Sequence, residues 1–242
     1  LSMPVDIMFS SFDESASDME RPFTRKEPKS YKAWPEPSAL NEIIGIIKSS
    51  KKPIIIGGHG IWWSKNEDLL KQVGDEIKIP IFNVPYHQKL LNENCKAFLG
   101  LADVHQYHPS KFAFNESDCI IMVGGRLDNQ MNFGNPPLFP ASSRLICVNG
   151  SHEEIEFNRA ADHLLLSDPG AFFECLLESY NGDKFSLEKD WLAKNIEERK
   201  KWVTASVNNL VETTTSPAWS GGKIHPLELS LSVQKCMTDQ DI

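Results

Sequence analysis

Three features are missing from this 242-residue sequence, and each absence excludes a class of protein. No apolar run is long enough to cross a bilayer, so we expect no membrane span and no membrane partner. An excess of basic residues is also missing. The net charge is −8, which argues against a nucleic-acid partner. No signal peptide is visible, and the chain begins at Leu1 rather than Met, which predicts a cut or processed N-terminus.

Paired cysteines are missing as well. The sequence has five cysteines, all widely spaced, and it has no C-x-x-C pair. A zinc site or a disulfide framework needs closely spaced or paired cysteines, so we expect neither. Cys119 and Cys147 lie inside apolar runs that are typical of strands. Buried, reduced thiols fit a cytoplasmic protein. The five are Cys95, Cys119, Cys147, Cys175 and Cys236.

No catalytic constellation can be argued from residue spacing. The sequence offers no Ser-His-Asp or Cys-His arrangement, and no carboxylate lies in an apolar setting that would make it a general acid or base. His105 and His108 lie three residues apart beside Pro109, which is too loose for a metal site without further ligands. We therefore predict no catalytic residue and no metal ligand in this chain.

The stretch Lys52–Ile61 organises what is present. Ile54–Ile56 form a β-branched run that is apolar on both faces, as expected of a buried parallel strand. Gly57, Gly58 and Gly60 follow, and then a helical pattern begins. A strand, a glycine-rich turn and a helix form a mononucleotide-binding geometry, because glycines let the backbone approach a ligand and helix N-terminal amides favour anions. A tight turn without a ligand explains the stretch equally well.

Strands alternate with helices along the middle of the chain. This alternation predicts an α/β fold, a Rossmann-like open parallel sheet of about six strands with helices on both faces. A helix is predicted to begin at Ser38 as its N-cap, and residues 86–117 are predicted to be helix or loop. The further strands are predicted at 79–84, 119–123, 144–149 and 163–166, and the further helices at about 64–77, 153–158 and 169–180.

The two ends of the chain differ from this middle part and predict linker arms. Val5–Phe9 alternates like the end of a strand, and a polar, proline-bearing linker follows it. A long amphipathic helix is predicted over 187–212, a loose linker over 213–222 and a new helix over Leu227–Met237. We therefore predict three parts. They are 1–37, the end of a preceding domain and a linker; 38–182, the Rossmann-like central domain; and 183–242, the long helix, a linker and the start of a following domain.

Polar or glycine residues follow four predicted strands, at the edge where open parallel sheets bind ligands. Arg126 can pair with a phosphate or with a neighbouring loop. Asp128 suits a ribose hydroxyl or a helix cap, and Asn149 suits a ribose, an adenine or a turn. Trp62 and Trp63 can stack on a flavin or adenine ring, or simply pack. The predicted cofactor-binding residues are Gly57, Gly58, His59, Gly60, Arg126, Asp128, Asn149 and Asp168.

Several of these motifs, taken in order, resemble the central domain of thiamine-diphosphate-dependent enzymes. Three of them are Ile54-Ile-Ile-Gly-Gly-His-Gly60, Val123-Gly-Gly-Arg-Leu-Asp128 and Ser167-Asp168. The group includes acetolactate synthase, oxalyl-CoA decarboxylase and 2-hydroxyacyl-CoA lyase. The ends agree with the resemblance. Met3–Phe9 is similar to the last strand of a pyrimidine-binding domain, and Ile224-His-Pro-Leu to the first helix of a diphosphate-binding domain.

The resemblance implies a parent enzyme that acts on 2-oxo acids or acyl-CoA and assembles as a homo-oligomer. Its thiamine diphosphate and Mg²⁺ would lie between the flanking pyrimidine-binding and diphosphate-binding domains. The Gly-Asp-Gly metal motif of that family does not occur here, so this chain should be inactive by itself. FAD, ADP or the nucleotide of CoA would bind in the central domain, lined by Gly57, Gly58, Gly60, Arg126 and Asp128. The alternative is a stand-alone nucleotide-binding or scaffold module of the same fold without catalysis.

Overall fold

A computed structural model of the chain describes Val5, Phe9, Ser11 and residues 31–85, 90–92, 94–103, 108–136, 138–155, 158–180, 185–215, 224 and 226–238. The chain divides into two compact units, Leu1–Tyr31 and Lys32–Ile242. In the first unit Val5 is helical, and the N–H of Phe9 donates to the C=O of Val5 at 3.2 Å. That is the hydrogen bond of an α-helical turn, so the strand end predicted there is wrong for the residues described.

Six parallel strands in the second unit form one open sheet, in the order β3-β2-β1-β4-β5-β6. β2 and β3 therefore lie on one side of β1. β4 pairs with the other side of β1, and β5 and β6 continue to the opposite edge. This arrangement confirms the predicted α/β fold. The strands are β1 (Pro53–Gly57), β2 (Ile81–Asn83), β3 (Phe98–Leu101), β4 (Cys119–Val123), β5 (Arg144–Asn149) and β6 (His163–Leu166).

Helices cover both faces of the sheet. On one face lie α1, α3 and α6, and on the other α4, α5 and the start of α7. A short 3-10 helix, Asn129–Gly134, follows β4. The helices are α1 (Pro37–Ser49), α2 (His59–Trp63), α3 (Glu67–Ile77), α4 (His108–Glu116), α5 (His152–Ile155), α6 (Pro169–Tyr180), α7 (Trp191–Thr215) and α8 (Pro226–Cys236).

The isoleucines of β1 show why its sequence is apolar without alternation. Ile55 packs into the core beneath α1, α3 and α6, whereas Ile54 and Ile56 pack into the core beneath α4 and α7. All three side chains are fully buried, because successive residues of a strand point to opposite faces and both faces are covered.

Three predicted helix starts differ from the structure by more than one residue, and one of them is that of the helix predicted over 187–212, which begins at Trp191. The N-cap of α1 is Glu36 rather than Ser38, since the Glu36 carboxylate accepts from the N–H of Ala39 at 2.8 Å and Pro37 takes the first helical position. The helix predicted over about 64–77 begins only at Glu67, after the separate short helix α2.

Two other segments also differ from the prediction. Residues 86–117 contain the strand β3 as well as α4. Thr213–Thr215, predicted as the start of a linker, still belong to α7, and residues 216–222 of that linker lie outside the described residues. His105 lies outside them too.

The first turns of α7 belong to the packed body around the sheet. Trp191 is 2% exposed, and its indole Nε1–H donates to the C=O of Pro53 at 2.9 Å. The division of the chain at residues 37 and 182 stays a prediction. Within the described part of the chain, none of the helices combines the length and apolar composition that a membrane span requires.

Candidate functional site

A cleft opens at the carboxyl ends of β1 and β4, where the order of strands along the chain reverses. Open α/β sheets of this strand order bind ligands at that switch point, because the loops after the two strands diverge there. The cleft has a volume of about 270 Å³. Its lining residues are Gly58, His59, Gly60, Trp63, Val84, Gly124, Gly125, Arg126, Asp128, Asn149 and Glu154.

Glycines at the floor of the cleft bring two turns into backbone contact. A Cβ built on Gly58 would lie 2.3 Å from the Cα of Gly125, and one on Gly60 would lie 2.9 Å from the Cα of Gly124. Gly124 also has a φ of 64°, which is strained for other residues. Close packing of the turns therefore requires these glycines, whether or not a ligand is present.

The amides of the glycine turn donate to protein carbonyls. The N–H of Gly58 reaches the C=O of Val123 at 2.8 Å, and that of Gly60 reaches the C=O of Gly124 at 2.7 Å. The N–H of Ile61 donates back to the C=O of Gly58 at 3.2 Å. These three amides hold the turns together and are not directed at an anion in the cleft.

Arg126 lies at the rim of the cleft between two carboxylates. Its Nη1 is 3.3 Å from Oε1 and 3.5 Å from Oε2 of Glu154, and its Nε is 3.9 Å from Oδ2 of Asp128. About half of the Arg126 side chain is exposed. Of the two alternatives for Arg126, the structure shows the ion pair with a neighbouring loop. The charged groups at the cleft are therefore one guanidinium and two carboxylates that lie close to it.

Asp128 and Asn149 both stabilise local backbone while they line the cleft. The Asp128 carboxylate caps the 3-10 helix by accepting from the N–H of Gln130 at 3.0 Å. The Asn149 amide donates to the C=O of Gly125 at 3.1 Å, and its Oδ1 accepts from the N–H of Ser151 at 3.0 Å. Asn149 thereby ties the end of β5 to the turn after β4.

An aromatic cluster forms one wall of the cleft. The ring of His59 lies 5.6 Å from Trp62 and 6.2 Å from Trp63, measured between centroids, and the two indoles meet edge to face at 4.8 Å. Trp63 is 72% exposed and lines the cleft. Its face is therefore available to a planar ligand.

Six of the eight predicted cofactor-binding residues line the cleft, and two do not. Gly57 turns toward the core, since a Cβ built on it would lie 2.6 Å from Cδ1 of Leu90. Asp168 caps α6 by accepting from the N–H groups of Gly170 and Ala171 at 2.8 and 3.2 Å. Both residues serve local structure outside the cleft lining.

Glu154 is the charged lining residue that the sequence analysis missed. It lies in the first turn of α5, which begins directly after the turn at the end of β5. A helix that starts at the carboxyl edge of the sheet places its first turn beside the other strand ends, and that position was the available signal. No group of three or more His, Cys, Asp or Glu side chains suited to a metal ion occurs among the described residues.

Comparison with known proteins identifies the family of this chain. Residues 40–176, which run from α1 to α6, match the family model described as "Thiamine pyrophosphate enzyme, central domain". The chain belongs to this family. As a central domain it is similar to 2-hydroxyacyl-CoA lyase 1 of Mus musculus, with 25% identity over 184 residues, which is 75% of this chain and 30% of the relative.

One further relative is similar in sequence, and one solved structure is similar in fold. The acetolactate synthase large subunit of Cyanidium caldarium is 24% identical over 205 residues, covering 84% of this chain and 34% of the relative. The crystal structure of benzoylformate decarboxylase from Polynucleobacter necessarius shares the fold with a TM-score of 0.53 and 17% identity, over 69% of this chain and 30% of that one. The central domain described here thus spans about a third of the length of the relatives it matches.

Proposed function

We propose that this central domain is part of a larger thiamine-diphosphate-dependent lyase or transferase that acts on 2-oxo acids or acyl-CoA substrates. Its own role is to hold flanking catalytic domains in register. The observation that carries the proposal is the family match together with the coverage, since the chain accounts for about a third of each relative. The flanking partners in this proposal are a pyrimidine-binding and a diphosphate-binding domain, assembled into a homo-oligomer in the cytoplasm.

Thiamine diphosphate and Mg²⁺ would lie between those flanking domains. The chemistry that the cofactor supplies when bound is addition to a carbonyl carbon, followed by cleavage or formation of a carbon–carbon bond. The sequence has no Gly-Asp-Gly metal motif, and the described residues offer no cluster of metal ligands. The chain by itself is therefore proposed to be inactive.

The cleft between the ends of β1 and β4 is proposed to bind a nucleotide, with FAD, ADP and the nucleotide of CoA as candidates. Its position at the switch point and its mixture of an exposed indole, a guanidinium and an amide support this proposal. The proposed contacts are Gly58, His59, Gly60, Arg126, Asp128 and Asn149. Gly57 and Asp168 are proposed to shape the turns beside them.

A thermal-shift experiment tests the nucleotide site. FAD, ADP and CoA are each added well above their dissociation constants, and binding to the folded state should raise the melting temperature. Trp63→Ala should reduce the shift because Trp63 lines the cleft, whereas Arg144→Gln, which changes an exposed arginine at the amino end of β5, should not. No shift with any of the three ligands would leave the domain with a structural role alone.

The reading frame around this chain tests the larger proposal. Coding sequence for thiamine-binding domains on both sides supports a parent enzyme, whereas stop codons on both sides support a stand-alone module of the same fold. Assays of the purified chain with thiamine diphosphate, Mg²⁺ and either pyruvate or a 2-hydroxyacyl-CoA should show no turnover. Turnover by the chain alone would contradict the proposal.

A further inference from the structure

The electrostatics of the cleft are unfavourable to a pyrophosphate. Both carboxylate oxygens of Glu154 lie within 3.5 Å of the Arg126 Nη1, and Oδ2 of Asp128 lies 3.9 Å from Nε of the same guanidinium. A phosphate that binds Arg126 must compete with Glu154 for the guanidinium and must approach two negative charges. Like charges at such short range oppose binding, even at a partly exposed site.

Three backbone N–H groups of the turn after β1 do not compensate for these charges. Anion sites in strand–turn–helix units depend on N–H groups that point at the ligand. Here the N–H groups of Gly58, Gly60 and Ile61 donate to protein carbonyls at 2.7–3.2 Å. Breaking these bonds would also separate the two glycine turns, so the amides are not readily turned toward a phosphate.

The other wall of the cleft favours an aromatic ring. Trp63 is 72% exposed on the cleft side of an edge-to-face pair with Trp62, and His59 lies beside both. The Asp128 carboxylate nearby accepts from one backbone N–H through Oδ1, and a carboxylate has capacity for further donors such as ribose hydroxyls.

We infer that Glu154 determines the ligand specificity of this cleft, by holding Arg126 so that the cleft selects the nucleoside part of an adenine nucleotide and excludes its phosphates. The base stacks on Trp63, the ribose hydroxyls donate to Asp128, and the phosphates extend into solvent. This inference rests on the proposed nucleotide site and narrows its ligand class to adenine nucleosides.

Isothermal titration calorimetry with adenosine and ADP tests the inference on the whole chain. The wild-type chain should bind ADP no more tightly than adenosine. Glu154→Gln releases Arg126, so it should strengthen ADP binding about tenfold while leaving adenosine within about twofold. Glu153→Gln is the matched control, because it makes the same change of charge at the exposed neighbouring residue and should alter neither affinity. Trp63→Ala should weaken adenosine about fivefold in all backgrounds.

Three outcomes separate this inference from the proposal on which it rests. If wild-type chain binds ADP about tenfold or more tightly than adenosine, the inference is overturned and the nucleotide site stands. If Glu154→Gln leaves the ratio of the two affinities unchanged, the inference is overturned in the same way. If neither adenosine nor ADP binds to any variant, while circular dichroism shows the chain folded, the nucleotide site and the inference both fall.

Discussion

At their amino ends β1 and β4 are closed by side chains, whereas at their carboxyl ends the same two strands open into the cleft. At the amino end the Asp118 carboxylate accepts from the N–H groups of Lys51 and Lys52 at 2.7 and 3.0 Å. The Lys52 ammonium lies 2.8 Å from Glu116, and the Trp191 indole covers Pro53. At the carboxyl end the backbone groups of two glycine turns bond mainly to one another.

Within one sheet, the side chains that stabilise the fold are therefore different from the side chains that are exposed at the cleft. At the amino end, side chains form hydrogen bonds with backbone groups that would otherwise have no partner. A buried backbone group without a partner costs free energy. The backbone groups of the glycine turns bond mainly to one another, with one further bond from Asn149, and the side chains of Trp63 and Arg126 beside them are exposed. We therefore expect substitutions at the amino end to reduce stability and substitutions around the cleft to change binding.

Trp191→Ala should have the largest effect. The substitution removes a fully packed indole and leaves the C=O of Pro53 without its donor, so we expect a loss of about 4 kcal/mol in the free energy of unfolding. Urea denaturation followed by circular dichroism measures it. Trp191→Phe keeps most of the packing and should lose only about 1–2 kcal/mol. Equal losses for the two variants would show that the hydrogen bond, not the packing, closes the amino end.

Gly58→Ala should have the next largest effect on stability. It is an exception to the difference between the two ends, because Gly58 lines the cleft and yet is needed for stability. The new Cβ would overlap the backbone of Gly125, so we expect a loss of about 3 kcal/mol. Gly45→Ala is the control, because nothing lies within 4 Å of that Cβ and alanine favours helix α1 by about 1 kcal/mol. A Gly58→Ala variant as stable as wild type would mean that the turns can separate.

Alkaline pH should test whether the sheet is closed to solvent. Burial raises the pKa of the Cys119 and Cys147 thiols to about 12, compared with about 8.5 in an unfolded chain. Between these values the unfolded state loses protons that the folded state keeps, so this contribution to stability is complete below about pH 8.5 and declines as the pH rises toward 12. Denaturant titrations at pH 7, 9 and 10 should show decreasing stability.

Alkylation gives a residue-level control for the same prediction. At pH 8 iodoacetamide should modify the exposed Cys236 at least about tenfold faster than Cys119, as measured by peptide mass spectrometry. Comparable rates at the two thiols would show that solvent reaches the amino end of β4.

Arg126→Gln should have the smallest effect on stability. Its ion pair with Glu154 is half-exposed, so its removal should change the free energy of unfolding by no more than about 0.5 kcal/mol. Urea denaturation provides the measurement. A loss above about 1 kcal/mol would place Arg126 among the stabilising residues and would break the distinction between the two ends.

The sequence predicted the elements whose patterns are strong and local. The strands β4, β5 and β6 and the helix α6 have the predicted bounds, because their apolar runs are bounded by turn residues and, in β4 and β5, are buried on both faces of the sheet. The strand β3 was missed. It is a short edge strand that contains Gly100 at a φ of 109° and ends at the exposed Leu101, so it lacks a strand pattern.

The place of the site was predictable, and its internal pairing was not. Parallel strands end at one edge, so Arg126, Asp128 and Asn149 were expected near the glycine turn. The partner of Arg126 depends on which side of α5 faces the cleft, and a helix of four residues has no periodicity from which to read that. The sequence therefore predicted the guanidinium but not the carboxylate of Glu154 beside it.

The hydrogen bond between Trp191 and Pro53 has a mechanical consequence. Pro53 begins β1 and Gly57 ends it at the rim of the cleft, and the strand rises only about 3.3 Å per residue. The long helix α7 is thus attached to the first residue of β1, and the glycine turn follows the last residue of the same five-residue strand. The attachment of α7 and the turn that borders the cleft are therefore joined by one continuous strand of five residues.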